Sequence, residues 1–164
     1  MKHYQITITV ENGVAHVYLD RGQMLLDADN LHLIRGKAVS FTNSGYASVR
    51  FNGKSELLHR LILPTPAGMC TDHINHNKLD NRRINLRVCS QANNNKNVVK
   101  QPRKTSSQYK GVYWDTDRGM WKARIRLNNK LIIIGRFANE VDAAAAYNIA
   151  ASRLFRSFSC PNKL

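Results

Sequence analysis

The stretch Thr71-Asp72-His73-Ile74-Asn75, together with the polar run Asn81-Arg82-Arg83-Ile84-Asn85 that follows it, decides how this chain is organised. An acid and a histidine are adjacent, and two asparagines, Asn85 and Asn94, follow the histidine by twelve and twenty-one residues. So dense a polar cluster is costly to bury unless its members find partners. We therefore interpret it as a functional site that the rest of the chain holds in place.

The residues around this cluster predict a strand, a loop, a second strand and a helix. The segments are 69–74, 75–84, 85–89 and a helix through Asn97 that Ser90 caps. This order lets His73, Asn85 and Asn94 converge although they are far apart in the sequence. Because adjacent strand residues point to opposite faces, Asp72 and His73 can serve one site only if the strand end bends.

Residues 1–58 predict short strands and tight turns, which we interpret as a scaffold. The segments with alternating apolar and polar residues are 5–10, 15–19 and 46–51. Asn12-Gly13 and Asn52-Gly53 are typical two-residue hairpin turns. Two short helices are predicted, at 27–33 with Asp27 or Asp29 as the cap, and at 58–63 before Pro64.

Asp72, His73 and Asn94 are residue types that suit metal-assisted hydrolysis of a phosphodiester. A histidine near its ordinary pKa of about 6.5 can act as the general base that activates water. A divalent cation can neutralise the developing charge and stabilise the leaving oxygen. Mg²⁺ prefers oxygen ligands and keeps several waters, so one carboxylate and one amide suffice from the protein. Asp72 and Asn94 offer those two ligands.

The whole set of motifs resembles the HNH endonuclease family, in particular its phage-type and homing-type members. The matching runs are His59-Arg60-Leu61-Ile62, Asp72-His73-Ile74-Asn75, 81–87 and Asn94-Asn95. The resemblance implies a ββα-metal finger over residues 69–97 that binds one Mg²⁺ or Mn²⁺ per active site. The implied roles are general base for His73, metal ligands for Asp72 and Asn94, loop-pinning and histidine-orienting residue for Asn85, and supporting residues for His59 and Arg60.

One residue departs from the family pattern, and one assignment is open in register. The residue after Asp72-His73-Ile74-Asn75 is usually Gly in the family, and here it is His76. If that backbone needs a positive φ, His bears a modest strain, and its side chain is either a phosphate contact or a solvated loop residue. Asn93 and Asn95 flank Asn94, so the helical metal ligand can shift by one residue.

The net charge of +14 and the pI near 10.2 favour a polyanionic partner, either nucleic acid or an anionic membrane surface. No apolar run reaches the roughly 20 residues of a spanning helix, and residues 1–5 lack a signal-peptide core. Cys70, Cys89 and Cys160 form no CxxC pair, and their odd number argues against a disulfide framework or a structural zinc site. We expect double-stranded DNA as the partner, no membrane or obvious protein partner, and a cytoplasmic location.

Charge also divides the chain into two parts. Residues 1–97 carry 12 Lys and Arg against 7 Asp and Glu, whereas residues 98–164 carry 13 against 4. Residues 98–107 are basic and polar and contain Pro102, so we interpret them as a linker that can lie along phosphates. The predicted domains are therefore 1–97 and 108–164.

Residues 108–164 predict three strands and one alanine-rich helix. The strands are 109–114, 121–126 and 131–137, and Asn128-Asn129 joins the last two by a tight turn of positive φ. The helix begins at its cap Asn139, carries Asp142 in its first turn and ends at about Phe155. Small alanine side chains let such a helix lie close to the sheet.

The second of these strands has two different faces. Strict alternation puts Trp121, Ala123 and Ile125 on one face, which we expect to meet the helix. It puts Lys122, Arg124 and Arg126 on the other face, with almost no acid nearby. This basic face is either a solvated surface or one that enters the major groove of DNA.

This second module resembles the AP2 DNA-binding domain over roughly residues 107–161. The matching runs are Tyr109-Lys110-Gly111-Val112, 121–125, Gly135-Arg136-Phe137 and Ala144-Ala145-Ala146-Tyr147. The resemblance implies DNA contacts from Lys110, Trp114, Lys122, Arg124, Arg126, Arg136 and Tyr147, while Trp121 is either core or contact. Because Lys110, Arg124, Leu131 and Ile133 differ from the plant members, the sequence preference of those members does not carry over.

These features together predict an α+β protein. A ββα-metal HNH finger lies on a small N-terminal β-rich scaffold, and a three-stranded antiparallel sheet packed on one helix follows it. The predicted function is a metal-dependent DNA endonuclease, of homing or phage nicking type, targeted by the AP2-like module. The alternatives are a DNA-binding regulator that has lost catalysis, and a structure-specific or RNA-directed nuclease.

Overall fold

The computed structural model describes residues 6–20, 22–100 and 105–164 and confirms the α+β class, with several small antiparallel sheets. The chain divides into two compact units, Met1–Gln91 and Ala92–Leu164. The domain bounds drawn from the sequence stay a prediction. Residues 1–5, which include the start of a predicted strand, and residues 101–104 of the predicted linker lie outside the described residues. No helix in the described ranges is both long and apolar enough to cross a membrane.

Two three-stranded antiparallel sheets form most of the first unit. The first contains β1 (Thr7–Glu11), β2 (Val14–Leu19) and β3 (Gly22–Asp27), and the second contains β4 (Val39–Phe41), β5 (Ala47–Phe51) and β6 (Lys54–Leu57). A 3-10 helix, Ala28–Leu33, follows β3, and helix α1, Leu58–Ile62, follows β6. Alternate strand residues share one core with α1, whose fully buried members include Ala15, Val17, Met24, Leu26, Val49 and Leu58.

Asn-Gly pairs form both predicted hairpin turns of this unit. Asn12 and Asn52 each have a φ of 48°, and Gly13 and Gly53 each have a φ of 76°. Two successive positive φ values are typical of the type I′ turn, whose twist matches that of the flanking strands. These two turn predictions are confirmed, and they fix the registers of β1 with β2 and of β5 with β6.

The sequence interpretation missed β3 and gave the wrong role to Asp27. Met24, Leu25 and Leu26 are consecutive apolar residues without alternation, yet β3 pairs with β2 along its whole length. Asp27 occupies the N-cap position of the 3-10 helix, but its side chain forms no cap hydrogen bond. Its carboxylate instead accepts a 2.7 Å hydrogen bond from the Arg83 backbone N–H. A tertiary contact has therefore replaced the local cap.

A two-stranded sheet carries the polar cluster. It consists of β7 (Met69–His73) and β8 (Leu86–Ser90), paired antiparallel. A 3-10 turn, Arg83–Asn85, leads into β8, and helix α2, Gln91–Lys96, begins directly after Ser90. Strand, loop, strand and helix thus follow one another in the predicted order.

A three-stranded sheet and one long helix form the second unit. The strands β9 (Val112–Asp115), β10 (Met120–Leu127) and β11 (Lys130–Phe137) lie in the order β11-β10-β9, and α3 (Glu140–Phe155) packs on one face. Asn139 caps α3 by accepting a 2.9 Å hydrogen bond from the Asp142 N–H, as predicted. Ala143, Ala144 and Ala151 are buried against the sheet, so small side chains do let the helix lie close to it.

Gly111, just before β9, lies against the Tyr147 ring of α3. Its φ is 77°, and a Cβ on it would overlap the Tyr147 ring and lie 2.8 Å from the Arg124 carbonyl oxygen. Glycine is therefore required here both by the backbone conformation and by the available space.

We expect Gly111→Ala to destabilise the second unit by about 3 kcal/mol, because it adds overpacking to an unfavourable backbone conformation. The matched control is Gly119→Ala, whose φ is 59° and whose added Cβ would meet nothing within 4 Å. Urea unfolding followed by tryptophan fluorescence reports on this unit, because both tryptophans, Trp114 and Trp121, lie in it. Equal losses in the two variants would show that the Tyr147 ring moves aside at no cost.

α1 buries a histidine in the first unit. His59 is 3% exposed, and burial, followed by the charges of His73 and Arg60, lowers its pKa from 6.5 to about 4. The unfolded chain therefore takes up the proton at a higher pH than the folded protein does. Stability from this residue is fully present above pH 6.5 and is lost as the pH falls towards 4.

We expect the wild type to lose about 2–3 kcal/mol more than His59→Phe between neutral pH and about pH 4.5. Amide hydrogen exchange in β5 and β6, corrected for the intrinsic rate at each pH, measures the free energy of unfolding of this unit. The same loss in both proteins would mean that the buried imidazole takes up its proton without unfolding.

Candidate active site

Asp72 lies on β7 and meets Arg87 across the hairpin. The two are cross-strand partners, so their side chains share one face. Arg87 donates to Asp72 Oδ2 from Nε at 2.8 Å and from Nη2 at 2.6 Å. Both side chains are largely buried, so the guanidinium compensates a carboxylate that would otherwise be expensive to bury.

His73 is the last residue of β7 and its side chain contacts a different set of partners. Its Nε2 lies 3.4 Å from Asn81 Oδ1, which can only accept. With this amide orientation the Nε2 carries the proton, and Nδ1 is the proton acceptor of the neutral ring. Burial lowers the pKa of His73, against the raising effects of Asn81, Asp72 and Asp80. The imidazole is therefore neutral near pH 7 and able to take a proton.

Asn85 closes the loop of residues 74–84 at its neck. Its Oδ1 accepts from the Asn75 N–H at 2.9 Å, and its Nδ2 donates to the Asp80 carbonyl oxygen at 2.7 Å. The Ile74 N–H also donates to the Asn85 carbonyl oxygen at 2.9 Å. The structure thus places Asn85 where it joins both ends of the loop that follows His73.

The sequence interpretation gave no role to Asp80 or Asn81, which are both fully buried. Asp80 accepts from Arg82 Nε and Nη2 at 2.7 Å each and from Asn75 Nδ2 at 2.9 Å. The hydrogen bonds from Arg82 lower the pKa of this carboxyl. The Asn81 N–H donates to the Leu25 carbonyl oxygen at 2.7 Å, which joins the loop to β3. The sequence does contain a signal for this ion pair, because Asp80 precedes Arg82 by only two residues.

His76 has a φ of 66°, so the loop does need a positive φ where the family usually has Gly. Its neighbours form two successive side-chain turns. Asn75 Oδ1 accepts from the Asn77 N–H at 2.9 Å, and Asn77 Oδ1 accepts from the Leu79 N–H at 3.1 Å. These bonds hold the backbone in a conformation that costs a histidine about 1 kcal/mol or more.

His59 lies beside His73 in the first unit. The two rings are 5.0 Å apart in an edge-to-face arrangement, and the Tyr46 ring lies 5.1 Å from His59 and 5.9 Å from His73. The His59 Nδ1 is buried and has no hydrogen-bond partner among the described residues. Arg60, its neighbour on α1, is exposed. Of the two supporting residues named from the sequence, His59 therefore packs against His73, and Arg60 lies at the surface.

α2 carries the three candidate asparagines on different faces. Asn95, with Ala92 and Lys96, lines a cavity of about 460 Å³ that Phe155 and Tyr147 also line. Asn93 Oδ1 accepts from Lys96 Nζ at 2.8 Å. At 100° per residue, Asn94 lies on the side of the helix opposite to the cavity. Asn94 belongs to the second unit, whereas Asp72, His73, Asn85 and His59 belong to the first.

His, Cys, Asp and Glu side chains do not form a metal-binding cluster in the described part of the chain. Within residues 6–20, 22–100 and 105–164, no three side chains of His, Cys, Asp or Glu are placed to hold one ion. A site for Mg²⁺ does not require three, because this ion keeps several waters and accepts amide oxygens. Carboxylate and amide oxygens, the donor types of Asp72 and Asn94, suit a hard cation better than zinc.

The basic face of the second unit contains an acid that the sequence argument overlooked. Asp115 accepts from Lys122 Nζ and from Arg136 Nε at 3.0 Å each, and these bonds lower the pKa of its carboxyl. The register places Lys122 opposite both Tyr113 and Arg136, so these side chains share the face. Lys122 and Arg136 are therefore on the predicted face, but both are partly neutralised.

Arg124 and Arg126 lie on the same face without that acid. The Arg124 guanidinium carbon lies 3.9 Å from the centre of the Tyr113 ring, a stacked arrangement that holds it in place. Arg126 is exposed and pairs across the strands with Leu131. These two arginines fit the predicted DNA-facing position best.

The structure does not bring three of the predicted DNA contacts to this face. Trp114 pairs with Trp121, and their rings meet edge to face at 5.1 Å; alternation from the buried Val112 puts Trp114 on the opposite face of the sheet from Tyr113, with 41% of its surface exposed. Lys110 Nζ donates to the Lys96 and Val98 carbonyl oxygens at 2.8 Å each, and burial lowers its pKa. Tyr147 is 3% exposed and belongs to the core.

Comparisons with known proteins match the region of the β7–β8 hairpin. Residues 64–96 match a family model described as HNH endonuclease. A protein of Acanthamoeba polyphaga mimivirus, described as an uncharacterized HNH endonuclease, is 35% identical over 74% of this chain and 64% of its own length. Protein 3.8 of Escherichia phage T7 is 34% identical over 41% of this chain and 54% of its own length. No solved structure matches.

The chain spans less than two thirds of the length of each of these relatives. The matched residues 64–96 contain Asp72, His73, Asn85 and Asn94, together with the loop that Asn85 closes. Residues 64–96 are therefore similar to the HNH endonuclease family, whose members are nucleases.

Proposed function

We propose that this protein is a metal-dependent DNA endonuclease, of phage or homing type, that hydrolyses phosphodiester bonds. The observation that carries the proposal is the buried His73 imidazole, neutral near pH 7, at the neck of a loop fixed by Asn85. A neutral imidazole beside a carboxylate-bearing strand is the arrangement that a water-activating base requires.

His73 is the proposed general base. Its Nδ1 takes a proton from the attacking water, while Nε2–H faces Asn81 and fixes the ring orientation. His59 is the proposed positioning residue, because its edge-to-face contact limits rotation of the His73 ring. Arg60 is proposed as a supporting cation at the surface beside it.

Asp72 and Asn94 are the proposed ligands of one Mg²⁺ or Mn²⁺, in a ββα-metal finger. When bound, such an ion supplies charge neutralisation at the scissile phosphate and at the leaving oxygen. Arg87 keeps the Asp72 carboxylate oriented through two hydrogen bonds to Oδ2. Asn94 is preferred over its neighbours, because Asn93 is bonded to Lys96 and Asn95 faces the cavity of the second unit.

The second unit is proposed as an AP2-like module that binds double-stranded DNA through the exposed face of its sheet. Arg124 and Arg126 are the proposed main contacts, with Lys122 and Arg136 beside them. Cationic side chains bind DNA phosphates without regard to sequence. An arginine that donates two hydrogen bonds to one base recognises guanine. A single metal site favours cleavage of one strand per engagement, and the homing role rests on family resemblance alone.

A catalytically inactive DNA-binding regulator is the second candidate, favoured by one observation. Arg87 binds Asp72 at 2.6 Å and so competes with a cation for the same carboxylate. A regulator of this kind would keep the DNA-binding face and would not depend on His73.

We expect the wild-type protein to convert supercoiled plasmid into open-circle or linear DNA with Mg²⁺ or Mn²⁺. His73→Ala should slow this conversion by about 10²–10⁴-fold, because the general base is lost. EDTA should abolish it in both proteins. The matched control is His32→Ala, since His32 is an exposed histidine of the first unit.

Two results would contradict this assignment. Unchanged cleavage by His73→Ala would show that another group activates the water. Salt-sensitive DNA binding without metal-dependent cleavage, on plasmids that contain the host sequences flanking the gene, would favour the regulator.

We expect Arg126→Ala to reduce the slope of log binding constant against log salt concentration by about one, because one phosphate contact is lost. Arg153→Ala is the control, since Arg153 is an exposed arginine on α3. Fluorescence anisotropy with a labelled duplex in EDTA measures binding without cleavage. Equal slopes for the two variants would place the DNA on another surface.

A further inference from the structure

Two aliphatic side chains lie exposed among the arginines of the second unit. Leu131 is 49% exposed and Ile133 is 54% exposed, both on β11. Leu131 pairs with Arg126, and Ile133 pairs with Arg124, so all four side chains share the face that α3 does not cover. Their exposure on a basic surface has no explanation in the packing of the unit.

A register shift in the sheet creates this arrangement. Between Ala123 and Arg124 the pairing with β11 moves by one residue, so Ile134 is the extra residue and packs with the core beneath the sheet. Without the shift, Ile134 would pair with Arg124 and lie on the outer face. The shift therefore turns Leu131 and Ile133 outwards beside the two arginines.

Charge selects the kind of partner that this face can take. β11 is an edge strand, and an exposed aliphatic edge invites pairing with a second copy. Residues 98–164 carry 13 Lys and Arg against 4 Asp and Glu, so a second copy of the unit would be repelled. A polyanion with apolar groups at its surface fits the face on both counts.

We propose that Leu131 and Ile133 read the C5-methyl groups of thymine in the major groove of DNA. This inference rests on the proposed DNA-binding function of the second unit. Thymine is the base that presents a methyl group in that groove, and aliphatic side chains have no donor or acceptor with which to read other base edges.

The spacing of the two residues suits this reading. Residues i and i+2 of a strand are about 6.6–6.8 Å apart along its axis, and stacked base pairs are about 3.4 Å apart. When β11 follows the groove, Leu131 and Ile133 therefore meet thymines two steps apart. Leu131 also lines a shallow depression of about 240 Å³ with Tyr113, Arg124 and Arg126, which offers space for a methyl group beside cations that hold the backbone.

The test compares two alternating duplexes that differ only in the methyl group, one of deoxyadenosine with deoxythymidine and one of deoxyadenosine with deoxyuridine. The alternating sequence places a pyrimidine at every second position of each strand. Binding of the full chain is measured by anisotropy in EDTA at one salt concentration. We expect the wild type to bind the thymine duplex about four- to sixteenfold more tightly, at about fourfold for each buried methyl.

The variants are Ile133→Ser and Leu131→Ser, which leave no methyl group to contact thymine. Each should lower the thymine-to-uracil ratio by about fourfold and leave binding to the uracil duplex nearly unchanged. The matched control is Ile132→Ser in the same strand, because Ile132 pairs with the buried Ile125 and so lies on the opposite face of the sheet from Leu131 and Ile133. Tryptophan fluorescence confirms that each variant is folded.

Each outcome decides the question. A ratio that falls in the two variants and persists in Ile132→Ser supports thymine reading. Equal binding to both duplexes by the wild type, with normal salt dependence, overturns this inference and leaves the DNA-binding function intact. A ratio that persists in Ile133→Ser and Leu131→Ser overturns it as well. If neither duplex binds in a salt-dependent way, the proposed DNA-binding function fails together with the inference.

Discussion

The candidate active site depends on the hydrogen bonds that the buried Asp80 carboxylate accepts. The loop of residues 74–84 is mostly polar, although its Leu79 packs against the core of the first unit. The Asp80 carboxylate accepts two bonds from the Arg82 side chain, one from the Arg82 backbone N–H and one from Asn75, while the Asp80 backbone carbonyl accepts from Asn85. Removing the Arg82 side chain would take two of these bonds from a buried carboxylate, and leaving a buried acceptor unpaired is more costly than the bond itself is worth.

This network explains why the histidine can be both buried and fixed. Asn81 follows Asp80, so the same backbone segment that Arg82 and Asn75 hold also presents the amide that faces His73. Its N–H in turn bonds to Leu25 of β3, in the core sheet of the first unit. Rigid strands thus position the imidazole through one intermediate loop. Precise placement of a catalytic group requires this kind of support from residues behind it.

The sequence predicted those features that depend on local chemistry. Asn-Gly pairs gave the hairpins, and Asn139 gave the start of α3. It failed where tertiary contacts override local preference. β3 has no alternation because its pairing partners, and not its own pattern, make it a strand. Asp27 turned from a helix cap into an acceptor for Arg83, which is 56 residues away.

The faces of the second unit show the same limit at the level of side chains. Alternation within β10 was predictable, but the faces of β9 depend on where its pairing starts, which is fixed by Gly111 against Tyr147. Trp114 therefore lies on the opposite face of the sheet from Arg124, and Lys110, one residue before that glycine, bonds to carbonyl groups near the end of α2. A family resemblance predicts which residue types occur at given positions. It predicts which way their side chains point only when the turns and β-bulges are also the same.

Several departures from ordinary local rules within the described residues lie in the two regions proposed to act on DNA. His76 has a positive φ, the buried His59 Nδ1 has no hydrogen-bond partner among the described residues, and Leu131 and Ile133 are exposed on an edge strand. The positive φ and the unpaired buried nitrogen each cost stability. Natural proteins tolerate such conflicts mainly where function requires them. A role in binding and cleaving DNA would explain why such departures persist in the loop around His73 and on the face that carries Arg124 and Arg126.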